Sequence, residues 1–575
     1  MSPIMEEILS DSNSILTSDE PLSPTLQPQR RLKSRPTTQI SFDAYSSSSS
    51  GSSIKSFNTT PNKVDTGADY LLGLISKSNS NSATSSERTK ISPFHNVKIG
   101  KRPHSKIMLT KEASSEEEEL AQQNICIDSD VPLDNNGDDS IISRNDISVT
   151  LDDKEYSGYR RKYGHEDPQS ITWSRHRKHF FILSSAGKPI YTRYGDESRI
   201  SSYMGVIQAI VSFFADADDT IRCINAGQHK LVFLLKGPLY LVAVSRTNES
   251  EMQLRDQLSY LYNQIVSVLT TTQLTKIFEQ RVNFDLRRLL GGTEPFLDNL
   301  ASTMSDEPGF MFSSIQCVRM SKDLRDKVGS IMQSIKPKDL LYAMLITNNK
   351  LLTLLRPRKH SLHPADLHLV FNMVNGSSTF RSVESWTPIC LPKFNNKGFL
   401  HAYVCYIASN VCLLFISPDK DKFFECSEAK NLLKEELSAC NALQEIEKAS
   451  QNEGYSIADI GVPGLRHFIY KSRTHVQYTS PAFVAPYGDP REKQKLYKLY
   501  CYTHDRMHSR LRPLKVHYYV SSTETILGWI TCSFELYAVF GPLISKSALT
   551  SSSHTLLRWI KKEEESLFIV SSPVF

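Results

Sequence analysis

The sequence predicts an α+β protein in which three similar units follow a long disordered N-terminal arm. The same order of predicted elements, β-β-α-β-β-β-α, occurs three times in the second part of the chain. Each repeat opens with a hairpin, which implies an antiparallel sheet with helices on one face and a second face left free. The length of 575 residues agrees, because it exceeds what one core usually supports.

The arm covers residues 1–150, where Ser, Thr, Asn and Pro dominate and Ser46–Ser50 is an uninterrupted serine run. Such a segment buries too little apolar surface to offset the entropy of ordering it. A basic linker, 151–177, leads to the first unit.

The first unit is assigned to 178–320. Its hairpin lies in His179–Tyr194, where two β-rich runs flank Ser-Ala-Gly-Lys-Pro. The other predicted elements are a helix at Ser201–Phe214, strands at Thr220–Ile224, Lys230–Leu235 and Tyr240–Val244, and a helix at Ser250–Thr270.

The same order predicts a second unit at 321–450 and a third at 451–575. The second unit has predicted strands at Leu340–Ile346, Lys350–Arg356, Trp386–Leu391, Phe399–Ile407 and Val411–Ile416, and helices at Pro364–Val374 and Asn431–Ala449. The third has strands at Leu465–Tyr470, His475–Ser480, Lys515–Ser521, Glu524–Cys532 and Glu535–Phe540, and helices at Asp489–His508 and Ser552–Glu565.

Composition argues against several classes of protein. A net charge of +5 is too weak to indicate nucleic-acid binding without a recognised motif. The ten cysteines are scattered and none has C-x-x-C spacing, which is typical of a reduced cytoplasmic protein. With no secretory signal and no apolar run of about 18 residues, we expect only peripheral membrane contact.

Motifs for catalysis are also missing, since the sequence contains no G-x-x-x-x-G-K-[ST], G-x-S-x-G or H-E-x-x-H. His504 and His508 are four residues apart on a predicted helix and could share a face, but the sequence places no Cys or carboxylate cluster beside them. We therefore expect no enzyme activity, no cofactor and no metal.

The predicted helix Ser201–Phe214 is apolar on nearly all sides. One stripe is formed by Tyr203, Ile207, Ile210 and Phe214, while Met204, Val206, Val211 and Phe213 fall on other faces. A helix that covers one small sheet needs a single stripe. The rest of this helix therefore packs either on a sibling unit or, as we expect, on an obligate partner protein. The expected partner interface is Tyr203, Val206, Ile207, Ile210, Val211, Phe213 and Phe214.

Two further features have a structural and a functional interpretation. Trp386 enters a strand beside Pro388, and it either packs within its unit or anchors an interface. Arg356, Arg358 and Lys359 form a basic loop that is either simply solvated or binds anionic lipid at about 1 kcal/mol per basic residue.

Several stretches of the chain resemble one known family. They are HFFILSSAGKPIYTRYGDE, QAIVSFF, KLVFLLKGPLYLVAVSR and LTKIFEQRVNFDLRRLLGGTEPFLDNL within 178–300, followed by SWTPICLPKFNNKGFLHAYV and the final strands. With these stretches the chain resembles the Mon/SAND vacuolar fusion family over most of its folded part.

The resemblance implies three longin domains, each a five-stranded antiparallel sheet with helices. It also implies that the chain pairs with a Ccz-type tri-longin subunit to form a guanine nucleotide exchange factor for the Rab GTPase of late endosomes and vacuoles. Recruitment by the early-endosomal Rab and by membranes with phosphatidylinositol 3-phosphate is implied too, as are roles in endosome maturation, vacuole fusion and autophagy. The alternative is a longin-type adaptor or tether without exchange activity.

The arm contains a candidate regulatory site at Ser114 and Ser115, each of which has an acidic residue three positions on, within Glu116–Glu119. Acid-directed kinases prefer this spacing, and the resemblance implies regulation of this kind. Phosphates there would weaken attachment to an anionic membrane or release the arm from a basic surface.

Overall fold

The computed structural model describes residues 40–41, 163–377, 379–451 and 454–575. Within the predicted arm it therefore describes only β1 (Ile40–Ser41), and Ser114 and Ser115 lie outside the described residues. The order β-β-α-β-β-β-α is present three times, which confirms the predicted α+β architecture.

The first domain has an antiparallel sheet with the order β4-β5-β6-β2-β3 among its own strands. Ser250 starts its long closing helix with a capping box, in which Gln253 bonds back to the Ser250 backbone. The elements are β2 (Lys178–Ser184), β3 (Pro189–Thr192), β4 (Cys223–Ala226), β5 (His229–Lys236) and β6 (Leu239–Ser245), with α1 (Ile171–Arg175), α2 (Ser201–Ala215) and α3 (Glu251–Leu269).

Both faces of this first sheet are covered, so the expected free face is wrong for this domain. Side chains alternate along a strand, and β2 therefore sends Phe181 and Leu183 to the core under α2. Phe180 and Ile182 enter a second core on the other face, together with residues of α3. Because α2 covers one face of the sheet, its outer surface is what remains on this side of the domain for contact with another molecule.

A helical segment that the sequence analysis did not predict connects the first domain to the second. Leu297 and Leu300 of this segment extend the core under α3 and meet Ala365 and Leu369 of the second domain. The segment contains α4 (Thr271–Gln280), α5 (Arg287–Leu290), α6 (Glu294–Asp306) and α7 (Pro308–Phe312).

The second domain has a five-stranded antiparallel sheet in the order β10-β11-β12-β8-β9. The single helix expected at Asn431–Ala449 is two helices, because Asn441 takes a left-handed φ of 58° between them. The elements are α8 (Lys322–Ile335), β8 (Tyr342–Thr347), β9 (Lys350–Leu355), α9 (Pro364–Gly376), α10 (Thr379–Ser382), β10 (Ser385–Leu391), β11 (Asn395–Ala408), β12 (Val411–Ser417), α11 (Phe423–Ala439) and α12 (Ala442–Gln451).

The third domain repeats the plan, and Asp489 caps its first long helix by accepting a hydrogen bond from the Arg491 backbone. Its strands follow the order β15-β16-β17-β13-β14. The elements are α13 (Ile457–Ile460), β13 (Leu465–Ser472), β14 (Gln477–Thr479), α14 (Pro490–Met507), β15 (Val516–Val520), β16 (Thr525–Ile530), β17 (Phe534–Phe540), α15 (Lys546–Lys562) and α16 (Glu564–Leu567).

The short strand β7 (Ile315–Gln316) joins the second and third domains. It follows the helical segment of the first domain, yet it pairs in parallel with β14 at the edge of the third sheet. The next residue, Cys317, forms a β-bridge with Leu351 on β9 of the second sheet. Backbone hydrogen bonds therefore connect the two sheets through one segment. Every helix within the described part of the chain is too short or too polar to cross a lipid bilayer.

Candidate interaction surfaces

Helix α2 covers one face of the first sheet through a narrow stripe. Met204, Ile207 and Val211 follow one another at spacings of three and four residues, so they share one face of the helix. All three are buried in one cluster with residues of the sheet, including Phe233 and Val242. Two residues that the sequence analysis assigned to the partner interface, Ile207 and Val211, therefore belong to the core of their own domain.

The other predicted residues of α2 lie on the side away from this core or at its border. Tyr203 and Phe214 are half-buried at the border. Val206, Ile210 and Phe213 are spaced by four and three residues and form what we call the outer face of α2, and Ile210 at its edge also packs against the core. The side chain of Phe213 is 72% exposed, whereas Val206 and Ile210 are half-buried. This outer face is apolar and lies on the first domain, where the sequence analysis places a partner.

Trp386 lies on the edge strand β10 and packs within the second domain. Its indole Nε1–H donates to the carbonyl of Lys420 at 2.9 Å, and its ring stacks on His401 with centroids 5.7 Å apart. The ring also meets Phe423 edge-on. The indole is half-buried, and these contacts agree with the packing interpretation of this residue.

The predicted basic loop follows β9 and is held by backbone bonds to residues 573–575. The amide of Arg358 donates to the carbonyl of Phe575 at 3.1 Å, and Arg356 forms a β-bridge with Val574. Arg358 and Lys359 are exposed, whereas Arg356 is half-buried. Lys336 adds positive charge nearby, since its Nζ lies 4.3 Å from the centre of the Phe575 ring. The loop is therefore a fixed basic surface on the second domain.

Sequence reasoning missed a carboxylate beside His504 and His508. Glu535 of β17 is buried, and its Oε2 lies 3.0 Å from Nε2 of His508. Burial alone would raise the pKa of Glu535, but the hydrogen bond with His508 and the positive charge of Lys471 outweigh it and lower that pKa to about 2. The sequence gives no signal for this contact, because the two residues are 27 positions apart and meet through tertiary packing.

Family comparisons match each of the three domains separately. Residues 178–300 match the first longin domain of FUZ, MON1 and HPS1, residues 338–434 match the second, and residues 464–564 match the third. These ranges contain the three sheets described above and cover more than half of the chain.

Curated relatives agree with this architecture. Vacuolar fusion protein MON1 homolog A of Gallus gallus is 44% identical over 412 residues, which are 71% of this chain and 75% of the relative. Protein SAND of Takifugu rubripes is 46% identical over 408 residues, or 71% of this chain and 78% of that protein. Vacuolar fusion protein MON1 of Cryptococcus neoformans var. neoformans is 43% identical over 414 residues, which are 71% of this chain and 67% of that protein. This chain therefore belongs to the MON1/SAND family of tri-longin vacuolar fusion proteins.

Proposed function

We propose that this chain is one subunit of a heterodimeric guanine nucleotide exchange factor that activates the Rab GTPase of late endosomes and vacuoles. The observation that carries the proposal is the outer face of α2, which presents apolar side chains at helical spacing on the first longin domain. Membership in a family whose relatives are named for vacuole fusion supports a role in membrane trafficking.

The occupant proposed for this outer face is a Ccz-type tri-longin subunit. Val206, Ile210 and Phe213 would lose their remaining exposure in such a complex, and burying an apolar side chain contributes about 1.5–3 kcal/mol. Large aromatic residues such as Phe213 are enriched at the buried centre of protein interfaces. The Rab would bind next to this contact, on the paired first domains.

Exchange of this kind needs no nucleophile and no proton transfer from the chain. A Rab holds nucleotide and magnesium with its own switch loops, so a partner that prefers the opened switch conformation shifts the population toward nucleotide release. The contribution of this subunit is therefore a binding surface of the right shape. An exchange factor is consistent with a chain whose sequence contains no recognised catalytic motif.

Membrane recruitment completes the proposal. Arg356, Arg358 and Lys359 would contact anionic lipid, including phosphatidylinositol 3-phosphate, while the early-endosomal Rab supplies a second attachment. The chain would then work at late endosomes, multivesicular bodies and vacuoles. Phosphorylation of Ser114 and Ser115 would oppose attachment, because each phosphate adds a charge of roughly −1.5 to −2.

The test is co-expression of the chain with a Ccz-type subunit, followed by purification of the complex. Release of a mant-labelled guanine nucleotide from the late-endosomal Rab is then recorded with and without the complex. Faster release supports the proposal. A stable complex that binds the Rab but leaves the release rate unchanged identifies the chain as an adaptor or tether, and excludes the exchange function.

A further inference from the structure

The third domain brings together three side chains with metal-binding atoms. His504 and His508 lie one turn apart on α14 and at its end, and their ring centroids are 4.2 Å apart. Glu535 reaches the pair from β17, which packs beneath the helix. One ring nitrogen of each histidine and one carboxylate oxygen all lie within 4.8 Å of one another.

This donor set fits Zn²⁺ better than the hard cations. Two imidazole nitrogens and one carboxylate oxygen are common zinc ligands, whereas Ca²⁺ and Mg²⁺ prefer oxygen alone. Ligand atoms around a tetrahedral zinc ion are about 3.4 Å apart, given metal–nitrogen bonds of about 2.1 Å. The observed separations are at most 4.8 Å, so they exceed that spacing by no more than about 1.4 Å.

A second observation that points to a metal concerns His504. Its Nδ1 is buried and has no hydrogen-bond partner among the described residues, which is costly for a polar atom. A bound cation would give this ring the partner that it lacks.

The environment of Glu535 resembles the outer shell of a metal site. Its Oε1 accepts a hydrogen bond from Lys471 at 3.0 Å, and Arg473 lies 3.9 Å away, while Oε2 faces His508. Oε2 also accepts a hydrogen bond from the Tyr537 hydroxyl at 3.3 Å, so the carboxylate is held through both oxygens and Oε2 keeps one further lone pair for a cation. Such outer contacts orient ligands in known sites, although the nearby positive charges also reduce the affinity for a cation.

Space for a further ligand is present beside the histidines. His504 and His508 line a cavity of about 210 Å³ between α3 of the first domain and α14 of the third. The cavity is large enough for several water molecules. Three protein ligands and one open position define an open zinc site rather than a closed structural one.

We propose that His504, His508 and Glu535 form a Zn²⁺ site with one coordination position open to this interdomain cavity. The site does not depend on the outer face of α2 or on nucleotide exchange.

The test uses the full chain, freed of metal with a chelator and titrated with ZnCl₂ by calorimetry. We expect the chain to bind one equivalent of Zn²⁺. His504→Gln and Glu535→Gln should each weaken zinc binding by at least ten- to a hundredfold, which is the loss that changes in the outer shell alone cause in known metal sites. His165→Gln, at an exposed position of the linker before the first domain, is the matched control and should bind normally. Absence of binding by the unaltered chain, or equal binding by all variants, would overturn the site.

A second readout needs no variant and therefore no assumption about folding. Cobalt chloride added to the metal-free chain should give the intense visible absorption of four-coordinate Co²⁺, and ZnCl₂ should remove it. Only the weak absorption of hydrated Co²⁺ would contradict the proposal.

Discussion

Three histidines, His179, His467 and His504, are buried strongly enough that burial lowers the pKa of each to about 3. In the third domain, His467 Nδ1 lies 2.8 Å from the Tyr500 hydroxyl, and the ring stacks on Phe483. These rings remain neutral in the folded chain at pH values where the unfolded chain takes up protons. Folding stability must therefore fall as the pH drops below about 6.5, the ordinary pKa of histidine.

For His467→Gln we expect a smaller loss of stability in acid. The unfolded state of the unaltered chain binds one more proton at this position, which lowers the free energy of unfolding by about 1.4 kcal/mol between pH 7.5 and 5.5. The variant should lose that part of the pH dependence. Urea denaturation at both pH values measures it, with the exposed His165→Gln as control. An unchanged pH dependence in His467→Gln would show that His467 titrates normally in the fold.

At the scale of single residues, the sequence predicted the histidine pair of the third-domain cluster but not its carboxylate. The spacing of His504 and His508 follows from helical geometry and is visible in the sequence. The contact of His508 with Glu535 depends on how α14 packs on β17, and no local pattern specifies that packing. The same limit applies to α2, where apolar residues could be identified but the buried stripe could not.

At the scale of elements, helix α2 carries buried core residues on one face and exposed residues on another. We expect Met204→Asp to abolish soluble expression, because this side chain is fully buried. Phe213→Asp should leave the chain folded and weaken binding to the Ccz-type subunit by roughly ten- to a hundredfold, which corresponds to one buried apolar side chain.

The matched control for Phe213→Asp is Val282→Asp, which places the same charge on another exposed apolar residue of the first domain. Pull-down with the co-expressed subunit and circular dichroism are recorded for all three variants. If Phe213→Asp is folded and binds as well as the control, the outer face of α2 does not contact this partner.

The basic loop after β9 allows a second prediction at this scale. Reversing Arg356, Arg358 and Lys359 to Glu should reduce binding to anionic liposomes, at about 1 kcal/mol per basic residue. The difference should shrink at high salt, because ions screen exposed charges. Flotation of liposomes with and without phosphatidylinositol 3-phosphate measures the effect.

The control for the loop is the triple reversal of Arg491, Lys493 and Lys495, exposed residues near the start of α14 that carry the same total charge. Equal losses in the two triple variants would show that binding follows net charge alone. Equal binding by the loop variant and the unaltered chain would assign the loop to simple solvation.

Element type was predicted well where hydrophobic periodicity was strong. The hairpins and the helices at 201–215, 364–376 and 490–507 follow their predicted ranges closely. The helices between 271 and 312 were not predicted, and apolar residues among them, such as Leu297 and Leu300, serve contacts between domains. Helix α8 was also missed, although Leu324, Val328 and Met332 form a regular face in the core of the second domain. The pairing of β7 with β14 could not be predicted from the sequence either, because a strand of two residues is too short to show an alternating hydrophobic pattern.

At the scale of the whole molecule, the three domains share hydrophobic cores and strands, so they are not structurally independent. The helical segment after α3 packs against the second domain, and Phe312 at its end enters the core of the third. Shared cores therefore connect the domain that carries the outer face of α2 with the domain that carries the basic loop. Such a connected scaffold suits the proposed role, in which the subunit would bind other proteins and a membrane.

The most direct measurement is the rate of mant-nucleotide release from the late-endosomal Rab. It is recorded at equal concentrations of complexes containing the unaltered chain, Phe213→Asp or Val282→Asp. We predict strong acceleration by the unaltered and Val282→Asp complexes. Phe213→Asp should give at least a tenfold weaker effect at concentrations below saturation of the heterodimer. Release no faster than the intrinsic rate with the unaltered complex would contradict the proposed exchange function.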